Sequence, residues 1–346
     1  MTRDEPTRVN CEEVPSPATG RVPSEGAEIV TVVIPTYARA NLTDRAVRSV
    51  LAQTYPAIEL VIVDDASPVP YAVPGGEPRR GVAVRLLRLD ANSGPGAARE
   101  AGRRVATGAY VSYLDSDDFW APRFLDVLVT ALRASPGAGM AYCASVARKG
   151  GNVVEVFRSG DPTCVQFLPT VLWSRPWATS SCVWRRSAVD AIGDWLPLRN
   201  WEDKEYDVRA GCHEVAIVHR AEALCFVQVD APDRLSIRKP VEDARSFALA
   251  HLAIARNLER TAWRRDPEVW PRIVDLFLDA SILCSAQGER SLMLQAITGA
   301  WRWSESKGRL AALIGVSSPV LFLGTRSFTL RVLRWLRRID QSARNL

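Results

Sequence analysis

Residues Ile29-Val30-Thr31-Val32-Val33-Ile34-Pro35 form a continuous, largely β-branched run closed by a proline. A run that is apolar without alternation suits a strand covered on both faces, as in a parallel sheet flanked by helices. Upstream the character differs. Residues 1–28 carry Pro6, Pro15, Pro17 and Pro23 among many charges and almost no large apolar side chains. They cannot bury enough surface to offset the entropy of ordering, so a disordered tail is expected there. Downstream, Leu42, Ala46, Val47, Val50 and Leu51 recur at helical spacing behind Asn41 and Thr43. A second apolar run, Leu60-Val61-Ile62-Val63, then ends in Asp64-Asp65.

The alternation of strand and helix continues. A Pro- and Gly-rich loop, Ser67 to Arg80, leads into a half-buried strand from Val82 to Leu89. A glycine-bearing turn at Asn92 to Gly96 opens a helix that closes near Gly108. Tyr110 to Leu114 forms the next strand and runs into Asp115-Ser116-Asp117-Asp118, and Pro122 starts a helix reaching about Ala134. This β-α-β-β-α-β-α order, with carboxylates and glycines just after strand ends, predicts an α/β fold with a doubly wound mixed sheet flanked by helices. Its ligand crevice lies at the carboxyl ends of the strands. From Met140 to about Arg238 short strands mix with helices near Arg186–Ile192 and Asp203–Gly211. Beyond Pro240 strands stop and helical periods take over, at about Val241–Thr261, Val269–Ser285, Ser291–Trp303 and Phe328–Arg338. The expected organisation is a tail (1–28), an α/β domain (29–239) and an all-helical C-terminal appendage (240–346).

Composition narrows the function classes. A chain of 346 residues exceeds a single small binding module, and 47% hydrophobic with 24% charged residues is a globular balance rather than a disordered or fibrous one. The net charge of +5 is too mild for a dedicated nucleic-acid binder, and much of the excess lies near the C-terminus. Seven cysteines, odd in number, are scattered without a CxxC pair or a zinc-like histidine spacing, so they read as core thiols of a reducing compartment. No secretory leader is read at the N-terminus, which makes a cytoplasmic location the expectation, with the cytosolic face of a membrane as a variant. His213, His219 and His251 fall in different elements and are not expected to ligate metal.

The densest chemical signal is Asp115-Ser116-Asp117-Asp118. Three carboxylates within four residues after a buried strand repel one another unless a cation relieves them. A hard divalent metal with oxygen ligands would do so, with a nucleotide diphosphate and water filling its shell. The alternative is a solvated acidic turn ahead of the helix at Pro122.

The ordered set Val33-Ile34-Pro35-Thr36-Tyr37, Val61 to Ser67, Asn92-Ser93-Gly94 with Ala98-Arg99, Gly108-Ala109-Tyr110, Leu114 to Asp118 and Trp201-Glu202-Asp203 resembles family 2 glycosyltransferases of the GT-A fold. The resemblance covers roughly Ile29 to Arg238. It implies that Pro35, Thr36 and Tyr37 hold the nucleobase, with Tyr37 stacking on uracil. Asp65 would accept from the base N3–H, and Asp64 would lie nearer the ribose. Asn92, Gly94 and Arg99 would shape the loop and helix start around the nucleotide, where a fixed guanidinium suits an anion. Asp117 would be the direct metal ligand, with Asp115 contacting metal or sugar, Ser116 beside them, and Asp118 structural.

By the same resemblance Asp203 is the general base toward an acceptor hydroxyl, with Glu202 next to it. The reaction would be an inverting displacement at the anomeric carbon that needs Mn2+ or Mg2+ and a nucleotide-diphosphate sugar, UDP-linked. The acceptor would be a glycan, a lipid-linked sugar or a small molecule, received near Trp177 to Ser181 and Trp201. Arg234 and Ser236 are placed at the diphosphate. Two positions depart from the family pattern: Ala38 and Glu100 stand where asparagines are usual, which leaves the donor sugar open.

Leu310 to Leu323 is apolar but 14 residues long and broken by Ser317-Ser318-Pro319, too short to cross a hydrocarbon core of about 30 Å as a helix. After it, Arg326, Arg331, Arg334, Arg337 and Arg338 alternate with Phe328, Leu330, Leu333, Trp335 and Leu336. That pattern fits an interfacial helix on anionic lipid, or equally a helix docked on protein, and a homodimer is left open. Two rival functions share the fold. A sugar nucleotidyltransferase would carry a basic Gly-rich loop after the first strand, which Pro35 to Asn41 lacks. A non-catalytic sugar-nucleotide-binding subunit has no need of Asp117 and Asp203.

Overall fold

The computed structural model describes residues 11–14, 28–74, 81–150, 152–158, 160–230 and 244–304. They fall into two compact units, Met1–Arg234 and Leu235–Leu346.

The first unit is built on one sheet. In chain order its strands are β1 (Cys11–Val14), β2 (Val30–Thr36), β3 (Ile58–Asp64), β4 (Val82–Leu89), β5 (Tyr110–Tyr113), β6 (Phe119–Trp120), β7 (Ala138–Lys149), β8 (Asn152–Arg158), β9 (Cys182–Arg185) and β10 (Ala216–Gln228). Their spatial order is β1-β4-β3-β2-β5-β9-β7-β10-β6, with β8 paired to β7. The strands β4-β3-β2-β5 run parallel, Val30 to Thr36 registering with Ile58 to Asp64 and Val30 to Val33 with Tyr110 to Tyr113. The chain winds outward from β2 to β3 and β4, then returns to place β5 on the other side. The reversal lies between β2 and β5, the position at which open α/β sheets bind ligands. Beyond β5 the sheet becomes mixed, with β9 antiparallel to both β5 and β7.

Every residue of β2 and β3 is buried, as the unalternating apolar runs require. The helices α1 (Ala40–Leu51), α2 (Pro95–Val105), α3 (Phe124–Ala134), α4 (Arg186–Ile192) and α5 (Glu202–Cys212) complete the unit. Val30, Val32 and Ile34 of β2 share a core with Val47 and Val50 of α1 and with Leu125 and Leu128 of α3. On the opposite face α2 comes close to the sheet. A Cβ added at Gly102 would overlap Cγ1 of Val33, so the absence of a side chain there sets the helix-to-sheet distance. Pro95 starts α2, where its missing amide hydrogen costs nothing.

Within the expected tail, Cys11–Val14 forms strand β1 antiparallel to Leu86–Leu89 of β4. The correction has a physical reason: β4 would otherwise be a sheet edge, and its free backbone groups can be paired by a segment without a hydrophobic pattern of its own. The rest of the tail before Glu28 lies outside the described residues. The second unit contributes α6 (Ala244–Leu258), α7 (Val269–Ala286) and α8 (Arg290–Trp303), close to the expected helical periods. Arg234 and Ser236, the apolar stretch 310–323 and the basic helix expected at 328–338 all lie outside the described residues. Among the described residues no helix is long and apolar enough to cross a membrane.

Candidate active site

The carboxyl ends of β2, β3 and β5 deliver Tyr37, Asp65 and Asp115–Asp118 to one rim of the sheet. The Tyr37 ring is 40% exposed and therefore not part of the core. Thr36 is buried, its hydroxyl 2.6 Å from that of Thr43, so it ties the strand end to α1. The residues flanking these positions hold unusual backbone. Ala38 (φ +54°), Ala66 (φ +57°) and Trp201 (φ +66°) are left-handed non-glycine residues beside Tyr37, Asp65 and Glu202. Each such conformation costs of order 1 kcal/mol or more and persists where surrounding contacts enforce it. The Ala38 amide donates to Ser67 Oγ at 2.9 Å, one such contact. Alanine is less at ease in this region than asparagine, so the contacts around Ala38 must hold it there.

The two aspartates after β3 divide their work. Asp64 accepts from the amides of Ser67 (2.9 Å) and Tyr71 (3.1 Å) and pairs with Arg88, so both of its oxygens are committed to the loop that follows. In this arrangement Asp64 anchors the loop that follows β3. Asp65 accepts from the amides of Ser93 (2.7 Å) and Gly94 (2.8 Å), which joins the end of β3 to the start of α2. Gly94 sits at φ +90° and so presents its amide without steric strain. Burial pushes the Asp65 carboxyl up to about 6 in spite of these two amide donors. Asn92 accepts from Arg199 at 2.7 Å, tying the same loop to the segment before α5.

The acidic turn after β5 is relieved by arginines. Arg39 lies 3.3 Å from Asp117 Oδ2, Arg45 donates to the Asp117 carbonyl at 2.6 Å, and Arg99 donates to Asp115 at 2.6 Å. These guanidiniums offset part of the negative charge of the turn. Asp118 accepts from Ser180 Oγ (2.7 Å) and the Gln228 amide (3.2 Å). Burial, with Asp117 and Asp115 close by, holds its carboxyl well above the usual range, in keeping with a structural role. Ser116 is buried beside them.

Arg99 does more than face an anion. Its other Nη donates to Glu202 at 2.7 Å, and its guanidinium lies 5.0 Å from the Trp195 ring centroid. It thus bridges the turn after β5 to the start of α5. Glu100 accepts from Arg103, Arg104 and the Trp195 amide, a hub within the fold.

Glu202 and Asp203 open α5, where the helix dipole favours negative charge. Burial pushes Glu202 up to about 7 against the pull of Arg99. Burial also opposes the charge of Asp203, yet Arg175, Arg99 and the Lys204 amide together bring its carboxyl below the ordinary value. Arg175 pairs with Asp203 and Asp207 from the segment ahead of the 3-10 turn Thr179–Ser181. Sequence reasoning missed Arg39, Arg45 and Arg175. The one available signal for Arg175 was its place between Trp173 and Trp177, ahead of the stretch already singled out. Trp177 is 1% exposed and packs on Tyr142 and Phe167, so its expected contact with an acceptor is corrected to core packing. Trp173, by contrast, is 56% exposed.

Among the described residues no three His, Cys, Asp or Glu gather to hold a metal. Asp115 and Asp117 are hard oxygen donors of the type a divalent cation takes, and would leave the rest of its shell to other ligands.

The mixed α/β sheet flanked by helices, with its switch point between β2 and β5, is a GT-A fold. Residues 31–192 match the model of glycosyl transferase family 2, and this segment belongs to that family. Among curated relatives, the uncharacterized glycosyltransferase alr2836 of Nostoc sp. (strain PCC 7120) is 30% identical over 191 residues, 50% of this chain and 56% of that protein. The succinoglycan biosynthesis protein ExoO of Rhizobium meliloti is 42% identical over 107 residues, 30% of this chain and 28% of that protein. The putative colanic acid biosynthesis glycosyl transferase WcaA of Escherichia coli K12 is 34% identical over 106 residues, 29% and 37% of the two chains. The matches thus span about half, or less, of the length of these relatives. In fold, S. aureus TarS 1-349 in complex with UDP-GlcNAc superposes with a TM-score of 0.63 at 16% identity, over 89% of this chain and 91% of that one.

Proposed function

We propose that the chain transfers a sugar from a nucleotide-diphosphate donor, UDP-linked, to an acceptor hydroxyl with inversion at the anomeric carbon. The acceptor class is a glycan, a lipid-linked sugar or a small molecule. The observation that carries this reading is the Asp115–Arg99–Glu202 bridge, which ties the donor-side acidic turn to the α5 start that bears Asp203. The family match and the fold of a UDP-GlcNAc-bound neighbour support it.

In this scheme Tyr37 offers its exposed ring to the base and Asp65 accepts from the N3–H, a donor that uracil has and cytosine lacks. Asp203, ionised at neutral pH, accepts the proton of the acceptor hydroxyl as the hydroxyl oxygen bonds to the anomeric carbon. The bond from that carbon to the diphosphate oxygen breaks on the opposite face, which inverts the configuration. Asp117 and Asp115 would hold Mn2+ or Mg2+ together with the diphosphate, and the bound cation supplies neutralisation of the departing charge. Arg39, 3.3 Å from Asp117 Oδ2, would add positive charge beside the diphosphate.

Calorimetric titration with UDP, with and without Mn2+, tests the donor side. The expected result is binding that strengthens about tenfold or more with Mn2+ and loses that gain in Asp117→Ala, as for a carboxylate that supplies metal affinity. Equal affinity with and without the cation in the intact protein would remove the metal from the scheme.

A further inference from the structure

Arg175 lies in none of the elements that carry the family motifs, yet all three of its guanidinium nitrogens are engaged at the start of α5. Nε donates to Asp207 Oδ2 at 2.6 Å, one Nη donates to Asp203 Oδ2, and the other donates to Thr179 Oγ1 at 3.3 Å. The Trp177 indole also donates to Asp207 Oδ2, at 2.9 Å, and the Thr179 hydroxyl donates to Asp203 Oδ2 at 3.3 Å. The remaining Asp203 oxygen, Oδ1, accepts from the Lys204 amide at 2.7 Å. Asp207 and Arg175 are largely removed from water, whereas the Asp203 side chain keeps 29% of its surface exposed. The geometry is therefore that of a buried anchor, Asp207, gripping a guanidinium whose far side orients a carboxylate that still reaches solvent. A planar fork holds two carboxylates at once in a fixed geometry, which the rotatable donors of a lysine ammonium do not impose.

We infer that Arg175 is the positioning residue for Asp203, fixing the direction of its carboxylate and keeping it ionised in an otherwise dehydrating setting. This inference rests on the assignment of Asp203 as the base. The charged groups facing Asp203 are Arg175, Arg99 from α2, and Glu202, Lys204 and Asp207 on α5 itself. Of these, Arg175 is the cation that pairs directly with the Asp203 carboxylate, whereas Arg99 pairs with Glu202 and Asp115. The lowered carboxyl of Asp203 agrees, since Arg175 is the largest influence opposing the effect of burial.

The test compares Arg175→Met, Arg175→Lys and the intact protein, each labelled with 13C at aspartate carboxyls, the Asp203 signal being identified by its loss in Asp203→Asn. In Arg175→Met the Asp203 midpoint is expected to rise by about one pH unit or more, the usual scale for losing an adjacent opposite charge. Arg175→Lys, which keeps the charge, should bring the midpoint most of the way back. In parallel, slow hydrolysis of UDP-GlcNAc with Mn2+ is followed against pH. Its kcat should fall about tenfold or more in Arg175→Met, with KM within about twofold and the acid limb moved upward by the same amount as the carboxyl midpoint.

An unmoved Asp203 midpoint in Arg175→Met would overturn the inference and leave Arg175 as packing. If Arg175→Met does not fold, Arg175→Gln, which keeps polar atoms and removes the charge, carries the same test. There a midpoint raised by about one pH unit supports the inference, and an unmoved one overturns it. Absence of hydrolysis in the intact protein would instead contradict UDP-GlcNAc as a donor, while the carboxyl titration still decides the part played by Arg175.

Discussion

A carboxylate buried beneath two backbone amides titrates differently from one in water, and Asp65 turns that difference into a readable signal. Burial raises its carboxyl to about 6, so the charged acceptor form is lost as pH falls through that value. If this carboxylate accepts from the nucleobase, uridine, which has no phosphate to titrate in the same range, should bind about fivefold more weakly at pH 5 than at pH 7.5. That is the difference between a charged and a neutral hydrogen-bond acceptor. Asp65→Asn should abolish the pH dependence, and titration followed by ligand-observed NMR would show it; a flat profile in the intact protein would place the base elsewhere. At this scale the sequence was legible where chemistry recurs in a fixed order. Asp65, Asp117 and Asp203 stood out through the ordered motifs that carry the resemblance, and in the fold they follow strand ends or open a helix. The division between Asp64 and Asp65 was not legible, because which carboxylate turns toward its own loop depends on Ser67, Tyr71 and Arg88, contacts made only in three dimensions. Arg175 was hidden for the same reason, since it lies 28 residues ahead of its Asp203 partner in a stretch without periodicity.

At the scale of the element, close approach of α2 to β2 holds the crevice in shape. Gly102 faces Val33, whose neighbours along β2 lead directly to Pro35 and Tyr37. Gly102→Val is expected to destabilise the first unit by about 1–3 kcal/mol, the usual range for overfilling a packed interior. The corresponding fall in melting temperature is several degrees, since about 1 kcal/mol shifts the midpoint by roughly 2–4 °C in a domain of this size. Thermal denaturation followed by circular dichroism would measure it, and an unchanged midpoint would mean that α2 can retreat freely from the sheet. The helices and central strands could be read within a few residues because their periodicities reflect burial on one face or on two. β1 could not be read, because an edge strand is stabilised by the backbone of its neighbour, β4, and needs little apolar pattern. The short β6 and β9 escaped for a related reason: at two and four residues they are too short to show a period.

For the whole molecule, an α/β unit carries the family match and a helical unit follows it in sequence. The helical unit adds α6 to α8, with Phe247, Ala248, Ile273, Phe277, Met293 and Trp303 among its buried residues, and Ser236, expected at the diphosphate, falls in its range outside the described residues. The proposed chemistry uses Asp117 on the donor side and Asp203 on the acceptor side, both within the first unit. The most direct test is release of UDP from a panel of UDP-sugars by the purified chain with Mn2+, comparing the intact protein with Asp203→Asn. The account predicts release from at least one donor in the intact protein and a loss of about 100-fold or more in Asp203→Asn, with donor affinity nearly unchanged, as for removal of a general base. Release that is equally fast in Asp203→Asn, or none from any donor in the intact protein, would contradict it.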